Sequence, residues 1–367
     1  MVNEYVVAVL PGDGIGPEVT GVAVEVLARI AELKGDLVLH FDEHDASATR
    51  WMRTGVAMPD KTFDACERAD AILLGAIGLP EARHEDGREV NGDVIFRLRL
   101  GLDLFAGIRP IKGFAGPAPV LAHGRPVDYV IVRENTEGLY ASSNGGINVR
   151  DEVATDSIVI TAVGVRRICE TAFELAESRA GRPSDGDRVV TCVDKANVLS
   201  SYAFFRSSFD KVAARYKHID ADHRYVDAMT AVQVLRPDEL DVVVTENMFG
   251  DIISDLGAAT VGGLGMAPSA DVGDGHGLFQ PAHGSAPDIA GRNVANPLAA
   301  VLSGAMMLDW LGRRNQDPAL LDAAGDIQLA VSRVLAARQV FPADIGGSSS
   351  TSEVGTAVFR ELSEVTG

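Results

Sequence analysis

Residues 5–33, YVVAVLPGDGIGPEVTGVAVEVLARIAEL, decide the fold class of this chain. Residues 5–10 form a continuous apolar run, which is typical of a strand that is buried on both faces. Residues 11–17 interrupt that run with a glycine-rich loop, and residues 19–33 then place apolar side chains at the spacing of an amphipathic helix. The stretch therefore predicts a buried strand, a tight loop and a helix.

Further apolar stretches repeat this pattern along the chain. They are residues 71–74 (AILL), 129–132 (YVIV), 188–193 (RVVTCV) and 241–245 (DVVVT), the last followed by a helix from about Gly250. Strands that alternate with helices predict an α/β protein with a largely parallel sheet.

Composition excludes several classes of protein. The chain has 367 residues, 46% of them hydrophobic, and a mean hydropathy of +0.10, which excludes wholesale disorder. A net charge of −19 argues against binding nucleic acid or an anionic membrane, because phosphates would be repelled. The sequence has neither a secretory leader pattern nor an apolar run long enough to span a bilayer. Three cysteines without a CxxC pair predict buried thiols in a reducing cytoplasm.

The loop at residues 11–17 (PGDGIGP) resembles a dinucleotide fingerprint but has the wrong spacing. A G-x-G-x-x-G motif that starts at Gly12 needs a third glycine at position 17, where this chain has Pro17. Pro17 is suited to the first turn of a helix. The loop therefore predicts a close approach of the backbone to another group rather than a Rossmann nucleotide site.

The segment 250–257 (GDIISDLG) carries a pair of carboxylates. Asp251 and Asp255 share one face of a helix, where like charges repel each other unless a cation lies between them. Two carboxylates with water and substrate oxygens suit Mg²⁺ or Mn²⁺. The pair follows a buried strand, and ligand sites in α/β sheets gather at such strand ends. A solvated acidic helix face is the alternative.

Arginines lie next to two of the apolar stretches. Arg97, Arg99 and Arg109 flank or lie within the segment 97–109, and Arg133 follows the strand at 129–132. Arginine is well suited to bidentate binding of a carboxylate. These side chains could therefore bind an anionic substrate, or they could form internal ion pairs with the many acidic residues of the chain.

Two further side chains could move protons. Lys195 follows the strand at 188–193, and a partly desolvated lysine can serve as a base. Tyr140 follows the segment ENTEG (134–138) and could donate a proton. The alternatives are a surface lysine and a tyrosine that only packs.

The segment 145–160 does not follow the alternating pattern of strands and helices. It begins at the hairpin-type signal NGG (144–146) and mixes isolated Ile and Val residues with polar ones. Because a lone two-stranded ribbon is marginal in water, we expect it to pair with a second copy of the chain. The alternative is a surface hairpin that lies on its own domain.

Seven stretches together resemble one enzyme family, the β-decarboxylating 2-hydroxyacid dehydrogenases. The family comprises isopropylmalate, isocitrate, homoisocitrate and tartrate/D-malate dehydrogenases. The stretches are PGDGIGPEV (11–19), LDLFAGIRP (102–110), VRENTEGLY (132–140), DKANVL (194–199), YVDAM (225–229), ENMFGDIISDLG (246–257) and HGSAPDIAGRNVANP (283–297).

The resemblance implies an isopropylmalate dehydrogenase-like, doubly wound α/β fold of two domains. Residues 1–104 plus 263–367 would bind the cofactor at a site that is not of the Rossmann type. Residues 105–262 would form the central domain for dimerisation, substrate and metal. A hairpin at about 141–162 would clasp the other subunit of a homodimer.

The resemblance also implies roles for individual residues. Arg99, Arg109 and Arg133 would bind the substrate carboxylates. Lys195 would act as the base and Tyr140 as the acid, and Asp227, Asp251 and Asp255 would bind Mg²⁺ or Mn²⁺. Lys195 and Asp227 would reach the site from the partner subunit, so that a monomer would be inactive.

The cofactor site is expected in the segment 283–297. By resemblance His283, Gly284, Ser285, Ala286, Asp288 and Asn296 would hold the adenosine half, with Ile15 near the nicotinamide. An aspartate at 288 can accept hydrogen bonds from both ribose hydroxyls and would repel a 2′-phosphate, which favours NAD over NADP.

The substrate is expected to be a 3-substituted malate. Ile95, Phe96 and the partner's Val198 would line an apolar pocket, which suits 3-isopropylmalate and disfavours isocitrate. Gly92, Gly107 and Gln280 depart from the isopropylmalate pattern, and Arg97 adds a cation near the pocket, so tartrate/D-malate and homoisocitrate stay open. The alternative from another class is a non-catalytic subunit that only binds nucleotide.

Overall fold

The structure is a computed structural model that describes residues 3–142, 146–150 and 152–366. The strands are β1 (Asn3–Gly12), β2 (Leu37–Glu43), β3 (Ala71–Ala76), β4 (Ala106–Lys112), β5 (Asp128–Glu134), β6 (Ile147–Val149), β7 (Val153–Thr155), β8 (Val189–Asp194), β9 (Asp220–Tyr225), β10 (Val242–Thr245), β11 (Pro268–Val272) and β12 (Gly277–Pro281). The helices are α1 (Gly16–Lys34), α2 (Ala48–Thr54), α3 (Asp60–Arg68), α4 (Asn91–Gly101), α5 (Ala162–Ser178), α6 (Ser200–Ala213), α7 (Val226–Leu235), α8 (Asn247–Thr260), α9 (Leu298–Asn315), α10 (Pro318–Ala336) and α11 (Thr351–Val365).

Two compact units make up the chain. Unit 1 comprises Met1–Asp103, Phe114–Ala118 and Gly262–Gly367, and unit 2 comprises Leu104–Gly113 and Pro119–Val261. Their roles in binding cofactor, substrate and metal stay predictions.

Unit 1 is built on strands in the order β2-β1-β3-β12-β11. The pairs β1–β2, β1–β3 and β3–β12 are parallel, and β11–β12 is antiparallel. Every residue of β3 is buried, as the continuous apolar run at 71–74 predicts. Helices α1, α9, α10 and α11 pack against one another beside these strands.

Unit 2 is built on strands in the order β4-β5-β10-β8-β9. Strand β4 is antiparallel to β5, and the remaining pairs are parallel. A hydrophobic cluster under α7 and α8 includes Tyr129, Ile131, Val243 and Ile253. Because β5, β8 and β10 are parallel, their carboxyl ends lie at one edge of the unit, where α8 begins.

The predicted mixed α/β class with a mostly parallel sheet is confirmed. The predicted start of the helix near Gly250 is three residues late, since α8 begins at Asn247. Glu246 explains the difference, because its carboxylate accepts hydrogen bonds from the backbone N–H groups of Met248 and Phe249 and so caps the helix.

The hairpin-like segment forms two short antiparallel strands, β6 and β7, with all six residues exposed. The turn lies near Arg150, whose φ of 56° is left-handed. Asn144 and Gly145 of the predicted turn signal lie outside the described residues. The exposed side chains of Ile147, Val149 and Val153 agree with the expectation of a ribbon that needs a further surface. Which surface covers it stays a prediction.

No helix within the described ranges is long and apolar enough to cross a membrane.

Candidate active site

Helix α8 places Asp251 and Asp255 one turn apart at the carboxyl end of β10. Its start is fixed by Glu246, whose side chain also accepts a hydrogen bond from the Tyr202 hydroxyl at 3.1 Å. Burial raises the pKa of Glu246 above its usual range, against the effect of its hydrogen bonds. The two carboxylates therefore stand on a helix whose first turn is anchored by buried polar contacts.

Arg133, the penultimate residue of β5, reaches the same helix. Its Nε and Nη2 donate to Asn247 Oδ1 at 3.1 and 2.7 Å, and its Nη1 donates to Asp251 Oδ1. The guanidinium is buried, and its side chain packs over Gly250, where an added Cβ would lie 2.6 Å from Arg133 Cγ. Arg133 is thus fixed by a neutral amide on one edge and by the Asp251 carboxylate at Nη1, in an orientation suited to bidentate binding of an anion.

Tyr140 joins this group from the loop that follows β5. Its hydroxyl donates to Asp251 Oδ2 at 3.0 Å, and its ring lies 5.6 Å from the Arg133 guanidinium carbon. Burial raises the pKa of Tyr140, and the negative charge of Asp251 adds to the effect. The hydroxyl is thus held protonated beside a carboxylate, as a proton donor requires.

Asp255 faces the same set of charges. Burial raises its pKa first and the charge of Asp251 second, while Arg109 and Arg133 oppose the shift. Repulsion between the two aspartates is the signature of a pair that gains from a cation. Carboxylate oxygens are the ligands that Mg²⁺ and Mn²⁺ prefer, so the donor set fits such an ion in part.

Lys195 and Asp227 form a separate pair in unit 2. Lys195 Nζ lies 2.6 Å from Asp227 Oδ1, and the hydrogen bond from Lys195 is the main cause that lowers the pKa of Asp227. The side chain of Asp227 is 69% exposed, and residue Val198 is 66% exposed. Among the described residues, no three His, Cys, Asp or Glu side chains are grouped to hold a metal.

The predicted metal ligands are therefore only partly brought together within one chain. Asp251 and Asp255 lie together with Arg133 and Tyr140, whereas Asp227 does not complete a third ligand position in this group.

In unit 1 the glycine-rich loop packs against the predicted cofactor segment. The backbone N–H of Ile15 donates to the Ser285 carbonyl at 2.8 Å. A Cβ on Gly14 would lie 1.9 Å from that carbonyl oxygen, so only glycine fits there. Ala286 has a φ of 37°, a left-handed conformation that costs about 1–2 kcal/mol in a non-glycine residue. Such strain is concentrated in ligand-binding loops.

Asp13 anchors this loop from within unit 1. Its buried carboxylate accepts hydrogen bonds from the backbone N–H groups of Ala48 (2.7 Å), Thr49 (2.9 Å) and Gly78 (2.9 Å). The Thr49 hydroxyl adds a fourth at 2.7 Å. Asp13 therefore holds the loop in one conformation and is not free to bind a ligand.

His283 and Asn296 are partly or fully buried next to Asp344. His283 Nε2 is buried without a hydrogen-bond partner in the described part of the chain, and Nδ1 lies 2.9 Å from the Gly284 carbonyl. Burial lowers the pKa of His283, so the ring stays neutral. Asn296 Nδ2 donates to Asp344 Oδ2 at 3.0 Å. An unsatisfied buried ring nitrogen suits a hydrogen bond with a polar aromatic ligand such as a nucleobase.

The other predicted residues of this segment differ in burial, and Ser285 is buried. Gly284 and Asp288 are exposed, so the Asp288 carboxylate is accessible to a ligand.

Helix α4 carries the predicted pocket residues. Ile95 and Phe96 are half-buried, and a Cβ on Gly92 would lie 3.1 Å from the Phe96 ring. Arg99 Nε donates to the buried carboxylate of Asp271 at 2.9 Å. Arg97 is bound elsewhere: its guanidinium donates to the Met58 carbonyl at 2.7 Å and to Asp60 at 2.6 Å.

Sequence reasoning missed four residues that position the site. They are the loop anchor Asp13, the helix cap Glu246, the arginine partner Asn247 and the buried Asp344. The polar pair Glu246-Asn247, directly before the apolar residues of α8, was a sequence signal for a helix cap. Asp344 lies 48 residues beyond Asn296, and no local pattern links the two.

Residues 6–358 match the family described as isocitrate/isopropylmalate dehydrogenase. The chain belongs to this family. It is 43% identical to the 3-isopropylmalate/3-methylmalate dehydrogenase of Methanocaldococcus jannaschii, over 98% of this chain and 99% of that protein. It is 39% identical to the tartrate dehydrogenase/decarboxylase of Pseudomonas putida, over 99% of each chain.

A solved structure agrees with this assignment. The isocitrate dehydrogenase of Methylococcus capsulatus matches with a TM-score of 0.85 and 34% identity, over 98% of this chain and 99% of that one. The family predicted from the seven stretches is confirmed. This member of the isocitrate/isopropylmalate dehydrogenase family is an oxidoreductase, an oxidative decarboxylating dehydrogenase.

Proposed function

We propose that the enzyme oxidises and decarboxylates a 3-alkylmalate, with 3-isopropylmalate the best candidate, using NAD⁺ and Mg²⁺ or Mn²⁺. The observation that carries the proposal is the group formed by Arg133, Tyr140, Asp251 and Asp255. It combines a buried guanidinium, a protonated phenol and two carboxylates that gain from a cation.

The residues of unit 2 divide the work of substrate binding and proton transfer. Arg109 and Arg133 bind substrate carboxylates, and Arg99 is the third arginine assigned to them. Tyr140 donates a proton to C3 after CO₂ has left, from the hydroxyl now held by Asp251. Asp251 and Asp255 would hold a divalent ion, which would supply Lewis-acid stabilisation of negative charge on the substrate.

Lys195 and Asp227 act in the site of a second copy in this proposal. Lys195 takes the proton from the C2 hydroxyl, and Asp227 supplies the third carboxylate. Support comes from the exposure of Asp227, beside a half-buried Lys195, and from the missing third ligand among the described residues of one chain. The exposed ribbon formed by β6 and β7 would clasp the same partner in a homodimer.

Unit 1 would bind NAD⁺, which accepts the hydride from C2. His283 and Asn296 would face the adenine, and Ser285, Gly284 and Ala286 would wrap the adenosine beside Ile15. The exposed Asp288 would accept the ribose hydroxyls and repel a 2′-phosphate. Three free, buried cysteines agree with a cytoplasmic location.

The substrate assignment rests on apolar surface and on the names of relatives. Ile95 and Phe96 offer half-buried apolar side chains, with Val198 from the partner, and a relative 43% identical is named for 3-isopropylmalate and 3-methylmalate. Arg97 donates to the exposed Asp60 and to the Met58 carbonyl, and a more polar substrate would have to replace these contacts to bind it.

The test measures turnover of a panel of substrates by the absorbance of the NADH or NADPH that forms. The panel contains 3-isopropylmalate, 3-methylmalate, D-malate, tartrate, isocitrate and homoisocitrate, each with NAD⁺ or NADP⁺ and with Mn²⁺ or a chelator. We expect the highest kcat/KM for 3-isopropylmalate with NAD⁺ and no turnover with the chelator. Faster turnover of tartrate or homoisocitrate would refute the substrate assignment.

The cofactor assignment is tested by Asp288→Ala. We expect the substitution to raise the KM for NAD⁺ and to lower the ratio of kcat/KM with NAD⁺ to kcat/KM with NADP⁺. Asp64→Ala, an exposed aspartate on α3, is the matched control and should leave both values unchanged. A wild type that prefers NADP⁺ would refute the role of Asp288.

A further inference from the structure

Gln233 is a buried polar residue in the apolar layer between α7 and α8. The side chain is fully buried, next to Met229, Val232 and Ile253 of the hydrophobic cluster. Its Nε2 donates two hydrogen bonds of 2.8 Å, one to the Tyr129 hydroxyl oxygen and one to the Ile253 carbonyl.

The amide of Gln233 is held in one orientation. Its Oε1 has no hydrogen-bond partner among the described residues. Turning the amide over would bring that oxygen against the Ile253 carbonyl oxygen, so the unmet acceptor cannot be relieved by rotation. A buried polar atom without a partner lowers stability, so the unpaired Oε1 offsets part of what the two hydrogen bonds from Nε2 contribute. The stability gained from a glutamine here is therefore small for a side chain that makes two buried hydrogen bonds.

The two hydrogen bonds join elements that carry residues of the proposed site. Gln233 lies on α7, which begins next to Asp227, and Ile253 lies on α8 midway between Asp251 and Asp255. Tyr129 lies on β5, the strand that places Arg133. The Tyr129 hydroxyl also packs against α8, since a Cβ on Gly257 would lie 2.8 Å from it.

We propose that Gln233 is a positioning residue that holds the helix of Asp227 in fixed register with the helix of Asp251 and Asp255. Each chain then presents two half-sites in one geometry: its own carboxylate pair, and the Lys195–Asp227 pair that it lends to a second copy. This role rests on the proposed function, because it needs the metal site. Residues that surround a metal site without binding the metal orient the metal ligands, and the loss of such residues lowers metal affinity.

The experiment compares Gln233→Met with Val232→Ala. Methionine matches the length of glutamine but cannot donate, whereas alanine at 232 removes buried apolar contact from the same helix and leaves both hydrogen bonds. Mn²⁺ alone is the probe. Its affinity is measured by electron paramagnetic resonance well below the melting temperature, beside thermal denaturation and the KM for Mn²⁺ against kcat.

We expect Gln233→Met to bind Mn²⁺ about 10–100-fold more weakly, with a melting temperature lowered no more than in Val232→Ala and with kcat largely recovered at saturating Mn²⁺. Val232→Ala should lower the melting temperature and keep the wild-type affinity for Mn²⁺. Wild-type affinity in Gln233→Met, or an equal loss in Val232→Ala, would overturn the proposal.

Two further variants keep the result decisive. If Gln233→Met does not fold, Gln233→Leu removes both hydrogen bonds with a more compact apolar side chain, and an unchanged Mn²⁺ affinity in it would overturn the role of Gln233. Asp251→Asn identifies the site and should abolish binding. A wild type that binds no Mn²⁺ would overturn the proposed function and this role together, whereas a wild type that binds, with Gln233→Met unimpaired, would overturn this role alone.

Discussion

Gly250 determines how the buried side chain of Arg133 lies on α8, and Gly250→Ala is the sharpest test of that packing. An alanine Cβ would lie 2.6 Å from Arg133 Cγ and 2.7 Å from its Cβ, so the side chain has to shift. Overpacking costs about 1–3 kcal/mol, and replacing a helical glycine by alanine returns about 1 kcal/mol. The net loss of unfolding free energy should therefore be about 0–2 kcal/mol.

The effect on catalysis should be larger. A shift of about 1 Å in a group that binds substrate lowers the rate by about 100-fold, which corresponds to about 2.7 kcal/mol in the transition state. Because Arg133 also bonds to Asn247 and Asp251, its displacement changes the surroundings of a proposed metal ligand. We expect kcat/KM to fall about 100-fold while the folded state persists.

The assay combines denaturant unfolding with initial rates on the substrate turned over in the panel. Gly325→Ala is the matched control, because Gly325 is an exposed position of α10 with no atom within 4 Å of an added Cβ. It should gain about 1 kcal/mol of stability and keep wild-type rates. The reasoning is refuted if Gly250→Ala keeps wild-type kcat/KM, or if its activity falls only in proportion to its folded fraction.

Three more predictions address the partner subunit, the proton donor and the buried cap. Lys195→Met and Asp251→Asn should each be inactive as homodimers. Mixing and refolding the two variants should restore about 25% of wild-type activity, because half of the dimers are then mixed and each mixed dimer has one intact site of two. No recovery of activity would contradict a site shared between subunits. Tyr140→Phe should lower kcat by about 100-fold or more with little loss of stability, as measured by initial rates and thermal denaturation, and wild-type kcat would exclude it as the acid. Burial raises the pKa of Glu246 in the folded state, so its contribution to stability is present at acid pH and is lost as pH rises through that raised pKa. We therefore expect the free energy of unfolding of Glu246→Gln, measured with denaturant between pH 4 and 8, to rise relative to that of the wild type as pH rises. A relative fall with rising pH would contradict the effect of burial on Glu246.

Local sequence determined the fold class and much of the chemistry. The apolar runs at 5–10 and 242–244 lie in β1 and β10, and all of their residues except Val6 are buried, because a segment without polar side chains has no face to offer to water. The four-residue spacing of Asp251 and Asp255 by itself places both on one face of a helix. The third glycine of the loop lies at position 16 and not at 17, which argues against a Rossmann loop, and Gly14 packs on the Ser285 carbonyl.

Tertiary structure alone decided which groups compensate one another. Nothing local to Arg133 shows that Asn247 takes two of its hydrogen bonds, or that Gly250 leaves room for its side chain. The same holds for the loop anchor Asp13 and for Gln233, whose partners lie far away along the chain. Hydrogen bonding and desolvation depend on distances of a few ångströms between residues that are remote in sequence, so they emerge only when the elements pack.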